Sequence, residues 1–441
     1  MGKNNVLSAQ AGSIGCASLQ HKLFILATPK CFFTTTTRRH DDTTFFALCA
    51  SKNTTQASCG AEQNVVSSCR RGEKNKQRSC AKALSTAPIS PTSTGKGNAR
   101  NNIIYYLVLL LLLVACQPVA KPERAFYHWQ TRLALSQAEQ QRLHNLGVTR
   151  LYAKFFDIDW DERRGQIVPL ASIQMDTAGL HDLELVPVVF ITNRTWAHVE
   201  SEAQLQQLVQ RTLDKIKNLG TPLDPRRISE VQIDCDWNQS TRRVYFAFLE
   251  ALGQKLASQG RKLSATIRLH QCKYPQRTGV PPVARGMLML YNVGQLEDWA
   301  EDNSIFSQKA VAAYAPLPRF PLPLDVVLPA FSWGVLFREG EMIRLLNDLR
   351  AETLRGDARF EEIAPRRFRV QKSTYLNGHY LYQGDLLRIE TCGGAELAAA
   401  AQFARRELPR AEQRWVAIYH LHSGLMKALS EDQLEEVFGV F

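Results

Sequence analysis

The sequence predicts a (β/α)8 barrel, the TIM-barrel architecture, and three observations carry that expectation. From residue 124 onward, short apolar runs alternate with longer amphipathic ones, the pattern of strands that each feed a helix. Eight such runs are present, the number a closed barrel requires. The main alternative is an open doubly wound sheet, but no glycine-rich phosphate loop follows the first run, which removes the commonest use of that fold.

The strands are expected at 125–130 (AFYHWQ), 150–156 (RLYAKFF), 185–191 (LVPVVFI), 230–237 (EVQIDCDW), 263–269 (LSATIRL), 286–292 (GMLMLYN), 325–333 (DVVLPAFSW) and 415–421 (WVAIYHL). Between them, Leu205, Leu208, Leu213 and Ile216 recur near helical spacing before the stop signal Gly220. Val244, Phe248, Leu252 and Leu256 do the same before Gly260. The connection from Gly334 to Arg414 is long for one crossover. It is read as an insertion, about 335–414, carrying extra helices and a small β element with a hairpin turn at LNGH.

A chain of 441 residues, 45% of them hydrophobic, can bury a large core. Its net charge of +12 is unevenly spread: residues 1–100 contribute +10 and the remaining 341 only +2. Nucleic-acid binding by the folded part is therefore not expected, since counterion release needs an excess of cations. Six of the ten cysteines also lie in the first hundred residues. Cys116, Cys235, Cys272 and Cys392 form no CxxC or Cys/His cluster, so no structural metal is expected. A Cys272–Cys392 disulfide is compatible with the sequence outside the cytosol.

Residues 103–115, IIYYLVLLLLLVA, are too short for a comfortable membrane span of roughly 20 residues, and Lys96 and Arg100 precede them. The segment has the form of a signal-peptide core, so 96–115 is read as a signal peptide. LVAC, Leu113–Cys116, resembles the lipobox of bacterial lipoproteins. The resemblance implies cleavage before Cys116, a diacylglycerol and a fatty acid such as palmitate on that residue, and a tether over 116–123. Gln117 after the cysteine favours the outer over the inner membrane. Residues 1–95 are rich in Ser, Thr, Asn and Lys without a sustained period. They are read as a disordered or upstream extension outside the fold.

The chemistry is expected at VQIDCDWN, residues 231–238. Strand alternation would aim Asp234, Asp236 and Asn238 at the mouth, with Cys235 and Trp237 turned away. Two buried carboxylates need a shared proton or a compensating cation, and the C-terminal strand end is where barrel active sites lie. IDCDWN resembles the strand-4 signature of family-18 glycoside hydrolases, the chitinase group, and MLYN, Met289–Asn292, resembles that group's strand-6 motif. The resemblance implies that Asp236 orients a substrate acetamido group, assisted by Tyr291 and Asn292. It also places Asn238 where the family has its acid, and an amide cannot supply general-acid catalysis. FYHWQ, VQIDCDW and LPAFSWG together resemble an uncharacterised bacterial family of lipoprotein-like TIM barrels across residues 124–425.

Asp157, Asp159 and Glu390 are the alternative acids, the first two just beyond strand 2 and the third folding over the mouth from the insertion. Trp129, Trp160, Trp196, Trp237 and Trp333 fall at or beyond strand ends, where flat rings stack on sugars or pack in the core. Trp237 is assigned to the core. Trp129, Trp333 and Arg268 join the expected substrate-binding residues. His420 and His422 share a strand face and, read with Asp234 and Asp236, would make a metal set, although no motif fixes one. The expectation is a lipid-anchored, monomeric envelope protein without cofactor or metal, acting on or binding a polysaccharide or amino-sugar polymer. Hydrolysis of O-glycosyl bonds and non-catalytic carbohydrate binding or envelope assembly both remain open.

Overall fold

The computed structural model describes residues 122–411 and 413–441, so the expectations for 1–95, for 96–115 and for Cys116 lie outside the described residues. The eight strands are β1 (Glu123–His128), β2 (Arg150–Asp161), β3 (Glu184–Ile191), β4 (Glu230–Asp234), β5 (Lys262–Arg268), β6 (Arg285–Met289), β7 (Leu324–Pro329) and β8 (Trp415–Tyr419). Each pairs in parallel with the next, and β1 pairs with both β2 and β8, which closes the sheet into the expected barrel. Its strands are almost wholly buried, as parallel strands covered on both faces must be.

The outer helices follow from capping and periodicity. α1 (Gln137–Asn145) and α2 (Glu202–Leu219) each begin in a capping box, Ser136 with Glu139 and Ser201 with Gln204. α2 buries Leu205, Leu208, Val209, Thr212 and Ile216 and stops at Gly220. α3 (Arg242–Ala257) buries Tyr245, Phe248, Leu249, Leu252 and Leu256. α4 (Gly394–Glu407) returns the chain from the insertion to β8, and α5 (Glu431–Gly439) closes the chain. Among the described residues no helix is long and apolar enough to cross a membrane.

Inside the barrel the N-terminal end is ionic. Arg150 bonds Glu184 and Glu230 at 2.7 and 3.0 Å, Ser264 donates to Glu230, and Arg285 pairs with Asp325 at 2.6 Å. One layer higher, the Tyr127 hydroxyl crosses from β1 to Gln232 on β4 at 2.5 Å while its ring stacks on Tyr152 at 4.8 Å. These contacts leave Asp234, the last residue of β4, to face the other end.

The insertion starts earlier than expected. The run 325–333 splits after Pro329, and Ser332–Arg338 already belongs to a second, five-stranded antiparallel sheet, whose other strands are Glu341–Asn347, Phe360–Ala364, Arg367–Val370 and Leu386–Thr391. This sheet has a separate apolar core that includes Leu336, Leu346, Phe368, Leu387 and Ile389. The LNGH hairpin forms as expected between Thr374–Leu376 and His379–Leu381, with Asn377 and Gly378 at φ 47° and 77°. Both central residues of such a tight turn need positive φ.

Glu390 does not fold over the mouth. It is fully buried, and its carboxylate takes 2.6 Å hydrogen bonds from Arg388, Ser304 and Trp333. Those donors hold the inserted sheet against the loop after β6 and engage both oxygens of the acid. Glu390→Ala strands the buried Arg388 guanidinium without its carboxylate. The expected cost is about 3–5 kcal/mol of unfolding free energy, read by urea denaturation. An unchanged midpoint would mean that the pair does not support the fold.

Candidate functional site

The acids of the VQIDCDWN stretch sit at the C-terminal mouth, but the strand carrying them is shorter than the sequence pattern suggests. β4 ends at Asp234, so alternation no longer governs residues 235–238. Asp234 is buried and accepts 2.6 Å from the Thr266 hydroxyl on β5. Asp236 is bound through both oxygens by the Arg268 guanidinium at the end of β5. Burial, and then the neighbouring Asp236 charge, push the Asp234 carboxyl up to about 6, against the pull of Arg268 and Thr266. A carboxyl in that range can hold or release a proton near neutrality.

Asn238 is placed elsewhere. It is exposed, and its Oδ1 accepts from Ser240 N at 2.9 Å, Ser240 Oγ at 2.6 Å and Thr241 N at 3.1 Å. Those donors make it a turn and cap residue at the entrance to α3, in place of the expected substrate-binding position on the strand face. Cys235 and Trp237 do turn outward. Cys235 takes the Trp196 indole N–H, while Trp237 donates to Thr278 O at 2.9 Å and packs on Tyr245 and Phe246. Trp196 packs on Tyr245 and Phe248, so it too is core.

Asp157 and Asp159 lie within β2, which runs on to Asp161 and pairs with Gln166–Leu170. Asp157 is buried, with Lys154 Nζ 3.3 Å from one oxygen, and burial raises its carboxyl despite that cation. Burial acts the same way on Asp159, but hydrogen bonds from Arg194 and Thr192 outweigh it and hold this carboxyl below its usual range. Trp160 stacks on His198 at 3.7 Å instead of standing free. His128 is buried, and burial lowers its imidazole to about 4, whereas the adjacent Trp129 lines the cleft at the mouth.

A cleft of about 230 Å³ opens at the mouth, on the side of β1, β6, β7 and β8. Its walls include Trp129, Tyr291, Asn292, Trp333 and Tyr419, so four of the expected binding residues meet there. The rings of Tyr291 and Phe331 pack 5.1 and 5.4 Å from that of Tyr419. Asn292 adopts a left-handed backbone, φ 55°, and its buried Oδ1 has no hydrogen-bond partner. Asp234, Asp236 and Arg268 are not on this wall. Their link to it is electrostatic: Tyr291 is raised well above its usual value, first by burial and then by Asp234.

One acid on the cleft escaped the sequence reading. Asp348 follows the inserted strand Glu341–Asn347, adopts φ 55°, and presents a side chain that is 51% exposed. The Asn-Asp pair at a strand end signals a turn. No periodicity says that this turn meets the barrel. His420 and His422 also reach this region. Their rings stack at 4.6 Å, and Asp348 rather than Asp234 or Asp236 is their acidic neighbour. Burial lowers both imidazoles, His420 further through His422 and His128. Cys235, Cys272 and Cys392 are free thiols, which settles the Cys272–Cys392 question.

No family model and no curated protein matches this chain. Solved structures of similar shape exist. The spore cortex-lytic enzyme SleL of Bacillus megaterium is 12% identical over 74% of this chain and 75% of that one, with a TM-score of 0.46. A chitinase from Chromobacterium violaceum is 14% identical over 72% and 98%, TM-score 0.44. A family-18 N-acetylglucosaminidase from Paenibacillus barengoltzii is 12% identical over 72% and 99%, TM-score 0.43. Likenesses of this size leave the chemistry to the residues of the chain itself.

The raised Asp234 carboxyl has a sign that can be measured. Unfolded, it titrates near 3.9; folded, near 6. Its contribution is therefore fullest below about pH 4 and is lost as pH rises through 6. Asp234→Asn removes that loss, so the variant gains up to about 3 kcal/mol on wild type between pH 4 and pH 8. Urea denaturation at the two pH values reads the difference, and parallel curves would contradict the shift.

Proposed function

We propose that the barrel binds an oligosaccharide or polysaccharide, of the amino-sugar class, in the cleft at its mouth, without chitinase-type proton donation from position 238. The observation that carries this reading is the division of labour at the mouth. Asn238 spends its amide oxygen on the entrance to α3, whereas Asn292 keeps a buried, unpartnered oxygen beside the aromatic rings of the cleft. A buried polar atom without a partner costs free energy, and a sugar hydroxyl or amide N–H would satisfy it. Aromatic walls with a few convergent polar groups suit a sugar ring, which has apolar faces and a polar edge.

The amino-sugar class is supported by the likeness of IDCDWN and MLYN to the chitinase motifs. Asp236 and Arg268 neutralise each other at the mouth, so their role is to support the buried Asp234 and not to contact the ligand. On this reading the chain is one of the lipoprotein-like barrels with this strand pattern. A second reading, hydrolysis through a different carboxylate, is favoured by one observation: Asp348 stands half exposed on the cleft wall.

Binding is tested on a glycan array and by calorimetry with N-acetylglucosamine oligomers. Asn292→Gly keeps the left-handed backbone that glycine tolerates and removes the amide. It is expected to weaken binding about tenfold, the worth of one well-made hydrogen bond. Asn238→Glu is expected to produce no turnover, because its side chain points at α3. No oligosaccharide binding by the wild type would end the carbohydrate reading, and turnover gained by Asn238→Glu would restore the chitinase one.

The proposal includes anchoring through acyl chains on Cys116 in the bacterial envelope, with the outer membrane preferred. Two chains hold a protein stably where one does not. Cys116→Ser is expected to move the protein from the membrane to the soluble fraction. Continued sedimentation with membranes would count against the anchor.

A further inference from the structure

We propose that Asp348, His420 and His422 form a binding site for a zinc-class divalent cation at the edge of the cleft, with its open coordination position directed into the cleft. Two separate parts of the chain converge here. His420 and His422 follow β8 and stack at 4.6 Å. Asp348 arrives from the inserted sheet on a left-handed turn. One donor atom from each residue lies within 4.8 Å of the others, and His422 Nε2 is 3.9 Å from Asp348 Oδ1. Tetrahedral zinc with bonds of roughly 2.0–2.2 Å holds its ligand atoms about 3.4 Å apart. Shifts of up to about 1.4 Å, shared between the half-exposed aspartate and the two imidazole rings, close that gap.

The second observation is the state of the imidazole nitrogens. His420 Nδ1 and His422 Nε2 are buried with no hydrogen-bond partner, and the His422 side chain is only 9% exposed. Buried ring nitrogens ordinarily find a partner, and these two belong to the same three-residue group. Two imidazoles and one carboxylate suit zinc and its first-row neighbours better than calcium or magnesium, which favour all-oxygen ligand sets. Three protein ligands leave a position for water or for a ligand oxygen. Asp348 and His420 both line the cleft, so that position meets whatever occupies it.

One contact opposes the site. Gly424 N–H donates to His422 Nδ1 at 3.1 Å, which puts the ring proton on Nε2 in the metal-free form. A cation on Nε2 moves that proton to Nδ1 and forfeits the hydrogen bond, a loss on the order of tenfold in affinity. Zinc affinities for nitrogen and oxygen ligand sets span many decades, so this reduces the binding without abolishing it.

The test uses the full chain after dialysis against a chelator, titrated with zinc chloride by calorimetry, with metal content measured after gel filtration. The cysteines of the chain offer competing thiolates, so cobalt(II) is substituted in parallel. The proposed site gives a d–d spectrum without thiolate charge transfer. One such equivalent is expected in wild type and in the surface control His181→Ala, and none in His420→Ala or His422→Ala. His422 also caps a short helix, so Asp348→Asn is the decisive variant: asparagine accepts the left-handed backbone. It should weaken zinc binding about tenfold or more, as even second-shell changes do. Zinc and cobalt binding by Asp348→Asn and His420→Ala equal to wild type would overturn the site. The measurement needs no saccharide, so it stands or falls apart from the proposed function.

Discussion

The double pairing of β1, with β2 on one side and β8 on the other, is the constraint on which everything else rests. Closure leaves the barrel strands no free edge, and it forces the inward side chains of eight strands into one enclosed column. A column containing Arg150, Glu230, Gln232 and Asp234 survives only because its polar groups meet each other across the barrel. Arg150 reaches Glu184 and Glu230, and Tyr127 reaches Gln232. Once the lower layers are saturated, Asp234 is left next to the mouth with Thr266 as its direct hydrogen-bond partner. The raised carboxyl is a by-product of that stacking.

The barrel was legible because strands buried on both faces read as plain apolar runs, and all eight were found where those runs lie. Strand ends were not legible. VQIDCDW looks like one strand to its last residue, yet pairing stops at Asp234, and that difference of a few residues decides where Asn238 points. The same limit applies at Pro329, where an apparently continuous run passes from the barrel into the second sheet. Local composition does not encode which sheet supplies the pairing partner.

The cleft was half legible. Trp129, Tyr291, Asn292 and Trp333 carry signals in residue type and position, and the structure brings them together. Glu390 has the sequence signature of any acid near a strand end, and its three donors come from Ser304, Trp333 and Arg388, the first of them 86 residues away in sequence. Asp348 gave no sign because its importance lies in tertiary placement alone. The pairing of His420 and His422 was visible from alternation, but their acidic neighbour was not.

The separate apolar core of the inserted sheet has a consequence for how this protein can change. Leu336, Leu346, Phe368 and Leu387 pack among themselves, outside the main core, while the strand they support delivers Asn347 and Asp348 to the cleft. Substitutions within that small core tilt or shift one wall of the cleft and leave barrel closure untouched. The insertion is thus the part of the chain through which one wall of the cleft can be reshaped apart from barrel closure, provided the buried Glu390–Arg388 pair that seats it is kept.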